Sequence, residues 1–104
     1  NKEETMNITF TARHFDASNN LKTFSEDAVS KLEQFYDRIV SCSIVLEPTA
    51  SPKTPQKAEL IVKIPNTTLT ASESAEKYEQ AVQMAVDNIS RQLKRYKEKK
   101  FITH

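Results

Sequence analysis

The chain of 104 residues has no glycine and no tryptophan, one cysteine, two histidines and four prolines. Each scarcity excludes a class of chemistry. Average usage would supply about 7 glycines at this length. Without them, neither the P-loop nor the G-x-G-x-x-G turn can bring backbone amides up to a phosphate. Any phosphate contact must therefore come from long side chains. Cys42 alone can form no intrachain disulfide and no cysteine-rich zinc cage, which fits a reducing compartment. His14 and His104 lie at opposite ends of the sequence, so no metal-binding spacing exists and no cofactor is expected. No run approaches the roughly 18 to 20 apolar residues of a membrane span. The polar start, Asn1 to Thr5, lacks the basic and apolar regions of a secretory signal. The expected address is the cytosol, with no membrane partner.

What is present suffices for one domain. With 38% hydrophobic residues, the chain can fill a single core between two packed layers, leaving little room for a deep cleft that would hold a small-molecule substrate. Met6, Ile8, Phe10 and Ala12 alternate with polar residues and predict a first strand. Ser18 is the best N-cap for a following helix from about Asn19 to Tyr36, whose apolar stripe is Leu21, Phe24, Ala28, Leu32 and Phe35. Ser43 to Glu47 reads as a second strand ending against Pro48. The stretch from Pro48 to Gln56, with three of the four prolines, is an exposed loop. Ala58, Leu60, Val62 and Ile64 mark a third strand. Pro65-Asn66 turns the chain into a short fourth strand, Thr67 to Ala71, asparagine being the best non-glycine residue for a left-handed position. From about Ser74 to Lys99, the series Tyr78, Val82, Ala85, Ile89, Leu93 and Tyr96 predicts a long amphipathic helix. The order β-α-β-β-β-α implies an α+β sandwich, a four-stranded sheet with two helices on one face.

The formal net charge of +1 hides position. Between Arg91 and Lys100 lie six basic residues, Arg91, Lys94, Arg95, Lys97, Lys99 and Lys100, against Glu98, so that segment is +5. Of fifteen basic residues nine remain elsewhere, against thirteen of the fourteen acids, leaving −4 for the other 94 positions. Arg91, Lys94, Arg95 and Lys99 share one helical face through steps of three and four, away from the apolar stripe. Two readings of this face stand. It is either a solvated helix end whose cations complement the C-terminal dipole, or a ridge suited to nucleic-acid phosphates. Arg13 and His14 after the first strand, Lys31 on the first helix and Arg38 beyond it are further basic points.

Signs of catalysis are weak. A nucleophilic pair would need Cys42 and His14 to meet with a third group orienting the base, and no local pattern supports that. Glu26 and Asp27 diverge by about 100° on a helix and cannot share a proton. Phe24, Phe35, Tyr36, Tyr78 and Tyr96 fall on or beside the apolar stripes and are expected in the core. Only Phe10 is aromatic among the strands, on the buried alternation, which disfavours base stacking on an open sheet.

Three segments carry a family likeness: MNITFTARHFDAS (Met6 to Ser18), SKLEQFYDRI (Ser30 to Ile39) and AVDNISRQLKRYKEK (Ala85 to Lys99). Together and in this order they resemble the ribosome hibernation-promoting factor family, also called ribosome-associated inhibitor or sigma-54 modulation proteins. The match covers nearly everything after Thr5 except the proline loop. The resemblance implies a fold like that of double-stranded-RNA-binding domains. It implies a non-enzymatic translation inhibitor, active in stationary phase or starvation. The implied partner is the rRNA of the small ribosomal subunit, in the decoding cleft between head and body, where messenger RNA and the A-site and P-site transfer RNAs sit. Family RNA contacts map here onto Lys31 and Arg38, onto Arg91, Lys94, Arg95, Lys97 and Lys99, and onto Arg13 and His14. Asn88 and Ser90 depart from the family pattern, and Glu73, Glu76 and Glu79 make the start of the second helix acidic, unlike a generic duplex-RNA binder. A protein-interaction module acting in transcription and a generic duplex-RNA binder are the rival readings. Residues 1–5 are expected to be a native extension or a cloning remnant, and residues 6–104 a single ribosome-binding domain. Long relatives add a C-terminal domain that pairs ribosomes, so this chain is either a short-type factor or the N-terminal domain of a long one.

Overall fold

A computed structural model describes the backbone of residues 6–102 and the side chains of residues 6–98. The expected extension over residues 1–5 lies outside the described residues, as does His104. The elements are β1 (Asn7–Ala12), α1 (Asn19–Ser30) continued by a 3-10 turn (Lys31–Gln34), β2 (Ser41–Pro48), β3 (Gln56–Ile64), β4 (Thr67–Ala75) and α2 (Tyr78–Ile102). The sheet order is β1-β2-β3-β4, with β1 parallel to β2 and the other pairs antiparallel.

Alternation decides which sheet face is covered. Ile8, Phe10 and Ala12 stand beside Cys42, Ile44 and Leu46, which pair across to Val62, Leu60 and Ala58 and on to Leu69, Ala71 and Glu73. The β2 and β3 members of this set are fully buried. The opposite face, with Thr9, Thr11, Ser43, Thr70 and Ser72, is exposed or half-buried. Both helices lie on the buried face, α2 over β3 and β4 and α1 beside α2 against β1. Leu32 from the 3-10 turn and Val82, Ala85, Ile89 and Leu93 from α2 complete one core.

The expected α+β sandwich is the observed fold, and its local signals hold in most places. The Leu21 N–H donates to Ser18 Oγ at 3.1 Å, the N-cap of α1. Asn66 adopts φ 74° in the two-residue turn between β3 and β4. Four details differ. The first helix tightens at Lys31, because the Phe35 N–H turns back to the Leu32 carbonyl at 3.0 Å and starts the chain toward β2. Phe24 is 37% exposed and outside the core. The buried face of α1 is centred on Leu21, Ser25, Ala28, Val29 and Leu32, about a quarter-turn from Phe24. β2 starts earlier, at Ser41, and includes Pro48, at a strand end where a missing donor is tolerated. β4 runs to Ala75, held by pairing with all of β3, so Glu73 is a strand residue and α2 begins only at Tyr78. The Tyr78 N–H donates to Gln56 Oε1 at 2.6 Å, satisfying one of the orphan amides at the start of α2.

Candidate nucleic-acid interface

The register decides which basic residues meet. Ala12, Leu46, Ala58 and Glu73 form one row across the sheet, and Ile8, Cys42, Val62 and Leu69 form a row toward its other end. α1 starts beyond Ala12 and delivers the chain to Ser41, so it descends from the first row to beyond the second. α2 starts beyond Ala75 and descends along β4. Asn88 Nδ2 donates to Glu73 Oε2 at 2.9 Å, and Gln92 Nε2 donates to the Thr70 carbonyl at 2.8 Å. Both helices therefore end at the same end of the molecule. Lys31, Arg38 and the basic segment of α2 gather there.

Arg91, Lys94, Arg95 and Lys97 are all exposed, as are Lys31 and Arg38. Arg91, Lys94 and Arg95, three members of the expected face, span about 100° of the helix surface, and Lys97 widens the fan to about 160°. Gln92 and Asn88 mark the flank that faces β4, and Arg95 lies on that side. On the other flank Lys94 Nζ sits 5.2 Å from the centre of the Phe35 ring. Lys97 lines a hollow of about 530 Å³ together with Tyr36 and Arg38. Arg91 stands between the flanks. Lys99 continues the helix, and its side chain lies outside those described.

Arg13 and His14 are at the opposite end. The Phe15 ring next to them stacks on Tyr78, in the first turn of α2, with centroids 4.5 Å apart and planes 7° from parallel. From Tyr78 to Lys97 the helix rises about 28 Å. Arg13 Nη1 lies 3.9 Å from Glu47 Oε1, and Lys57 Nζ lies 3.5 Å from Glu47 Oε2. With 58% of the Arg13 side chain exposed, such a pair holds it weakly. His14 is exposed with φ 67°. Burial, and then the Glu47 carboxylate, raise the Tyr78 hydroxyl above its ordinary range.

Cys42 and His14 do not meet. Cys42 stands beside Ile8, and β1 runs on to Ala12, about 13 Å further, before the chain bends at His14. Asn88, a departure from the family pattern in sequence, clips α2 to β4: it accepts from Gln92 Nε2 at 2.8 Å while donating to Glu73. The hollow beside Phe35 and Tyr36 was not legible in sequence. Both rings read there as core, yet both are half-buried. The nearest sequence signal is Asp37-Arg38 directly after them, where the helical stripe ends.

Comparison with known proteins gives one family and a consistent set of neighbours. Residues 8–100 match the family described as sigma 54 modulation protein / S30EA ribosomal protein. A ribosome hibernation promoting factor of Azotobacter vinelandii is 27% identical over 94 residues, spanning 90% of this chain and 85% of that protein. One of Pseudomonas putida is 24% identical over 94 residues, spanning 90% and 89%. Among solved structures, a ribosomal subunit interface protein from Coxiella burnetii superposes with a TM-score of 0.81 at 22% identity, over 89% of this chain and 99% of that one. The N-terminal domain of Protein Y from Thermus thermophilus gives 0.76 at 23% identity, over 88% and 99%. These two likenesses establish the fold.

Proposed function

The chain belongs to the sigma 54 modulation protein / S30EA ribosomal protein family, and from that premise we propose that it is a non-catalytic ribosome hibernation factor. It binds the small ribosomal subunit through rRNA in the decoding cleft and excludes messenger RNA and the A-site and P-site transfer RNAs. The observation that carries this reading is the convergence of Lys31, Arg38, Arg91, Lys94, Arg95 and Lys97, all exposed, at the shared C-terminal end of both helices. Two relatives that match 90% of the chain are named ribosome hibernation promoting factors.

Without glycine, contact with phosphate falls to these side chains. Arginine grips phosphate oxygens with a fork of donors, and lysine adds point charge. A cation fan of about 160° suits RNA that surrounds the helix end better than a single groove. Arg13 and His14, about 28 Å away along α2, form a second contact point, and Lys99 extends the first. The acids Glu76, just before α2, and Glu79, in its first turn, keep that end of the helix from binding nucleic acid indiscriminately.

The experiment is co-sedimentation with purified small subunits across a salt series. Binding should weaken steeply as salt rises, because phosphate contacts release counterions. A triple variant, Arg91→Glu, Lys94→Glu and Arg95→Glu, checked for folding by circular dichroism, should no longer sediment with subunits. Undiminished binding by that variant refutes the site. Equal affinity for plain duplex RNA would instead indicate a generic duplex binder.

A further inference from the structure

The hollow at the end of the helical layer holds more than the contacts with RNA phosphates require. It has about 530 Å³, lined by Glu33, Gln34, Phe35, Tyr36, Asp37, Arg38 and Lys97. That lies within the usual range for a small-ligand site, about 300 to 1,000 Å³. A neighbouring opening of about 330 Å³ shares Phe35 and Lys97 and reaches Lys94 and Glu98. The aromatic rings are held in place: Lys94 sits over Phe35, and Tyr36 meets Tyr96 edge-on at 5.9 Å. Glu33 is already engaged, its Oε2 accepting the Met6 N–H at 3.1 Å. The side chains of Asp37, Arg38 and Lys97 make no hydrogen bond or ion pair among the described residues.

This combination is a poor match for a phosphate backbone alone. Glu33, Asp37 and Glu98 offset Arg38, Lys94 and Lys97 around the two openings. It is a good match for a whole nucleotide, which presents a flat aromatic face, hydrogen-bond donors on one edge and an anion at the other end. We propose that the hollow takes one unpaired guanosine nucleotide of RNA, its base against Phe35 and Tyr36, its N1–H and 2-amino group on the Asp37 carboxylate, and its phosphate on Arg38 and Lys97. Unstacked bases are read by proteins in this way, on aromatic faces and along the Watson–Crick edge. An ionised carboxylate only accepts. Guanine alone offers it two adjacent donors, whereas adenine, cytosine and uracil each set an acceptor beside the donor. The inference deepens the rRNA-binding reading and rests on it for the source of the nucleotide.

The test is two-dimensional NMR of the full chain titrated with GMP, CMP, UMP and inorganic phosphate. GMP should shift the Phe35, Tyr36 and Lys97 signals with about tenfold higher affinity than CMP or UMP. Asp37→Asn, an exposed and nearly isosteric change, should bring GMP down to the level of UMP. An equal response to all four probes, or a GMP preference that survives Asp37→Asn, overturns the proposal. Small-subunit co-sedimentation of the same samples separates the two ideas. Salt-sensitive subunit binding without GMP selectivity defeats the hollow alone. GMP selectivity lost in Asp37→Asn upholds the hollow, even if subunits fail to bind and the functional reading falls.

Discussion

Cys42 and Ser25 are both fully buried, and they affect stability in opposite ways. Cys42 packs in β2 between β1 and β3, and burial pushes its thiol up from 9.0 to about 12. The thiolate is the reactive form, so Cys42 in the folded chain should resist iodoacetamide at pH 8 and react only on unfolding, as read by mass spectrometry. The sign of the pH effect follows from the same shift. Between pH 9.0 and about 12 the unfolded state has released a proton that the folded state retains, so stability is intact below pH 9.0 and falls above it. The slope is up to about 1.4 kcal/mol per pH unit. Urea titrations at pH 8 and 10.5 should show this loss in the natural chain and a smaller one in Cys42→Ala. Ser25 Oγ has no hydrogen-bond partner among the described residues. Ser25→Ala removes an unsatisfied buried hydroxyl and improves helix propensity, so it should raise the unfolding free energy by about 1 kcal/mol. An unchanged or lower urea midpoint would contradict that account.

At the scale of elements, turns and caps were legible because their chemistry is local. Ser18 caps α1 and Asn66 carries the left-handed turn, each fixed by the properties of one residue. Asn66→Gly should therefore hold or increase stability, while Asn66→Val should cost about 1 to 2 kcal/mol by denaturant titration, since a β-branched residue at φ 74° is strained. Element ends were less legible where partners supply the reason. Ser72, Glu73 and Ser74 have weak strand propensity, yet β4 runs through them because β3 offers a ladder out to Gln56. Phe24 fits a helical stripe by spacing, but which side of α1 is buried depends on where β1 and α2 lie. Asn88 belongs to the same lesson. Its partners Glu73 and Gln92 hold α2 against β4, so Asn88→Ala should lower stability by about 1 kcal/mol and loosen the helix in hydrogen exchange.

At the scale of the whole molecule, the polarity of charge is organised by helix direction. Both helices run the same way over the sheet, so their negative dipole ends and the basic residues share one end. The cations there complement those dipole ends and are the same side chains that the proposed function assigns to RNA. Replacing Arg91, Lys94 and Arg95 by Gln should flatten the salt dependence of subunit binding by roughly 2 to 3 in the log–log slope if each contacts one phosphate. Arg13→Gln should lower that slope by less than 1, since its guanidinium is shared with Glu47. The missing glycines, the +5 segment between Arg91 and Lys100, the apolar periods and the family motifs are properties of the sequence alone. They determined the fold class, the absence of glycine-built phosphate cradles and the side chains available to meet an anion, because composition and local period do not depend on neighbours. Only the tertiary structure decided that Arg13 and His14 stand apart from the other cations, and that Phe35 and Tyr36 flank a hollow with Asp37, Arg38 and Lys97. Those facts depend on sheet register and on the parallel descent of two helices. They join residues distant in sequence, and no local pattern encodes such distances.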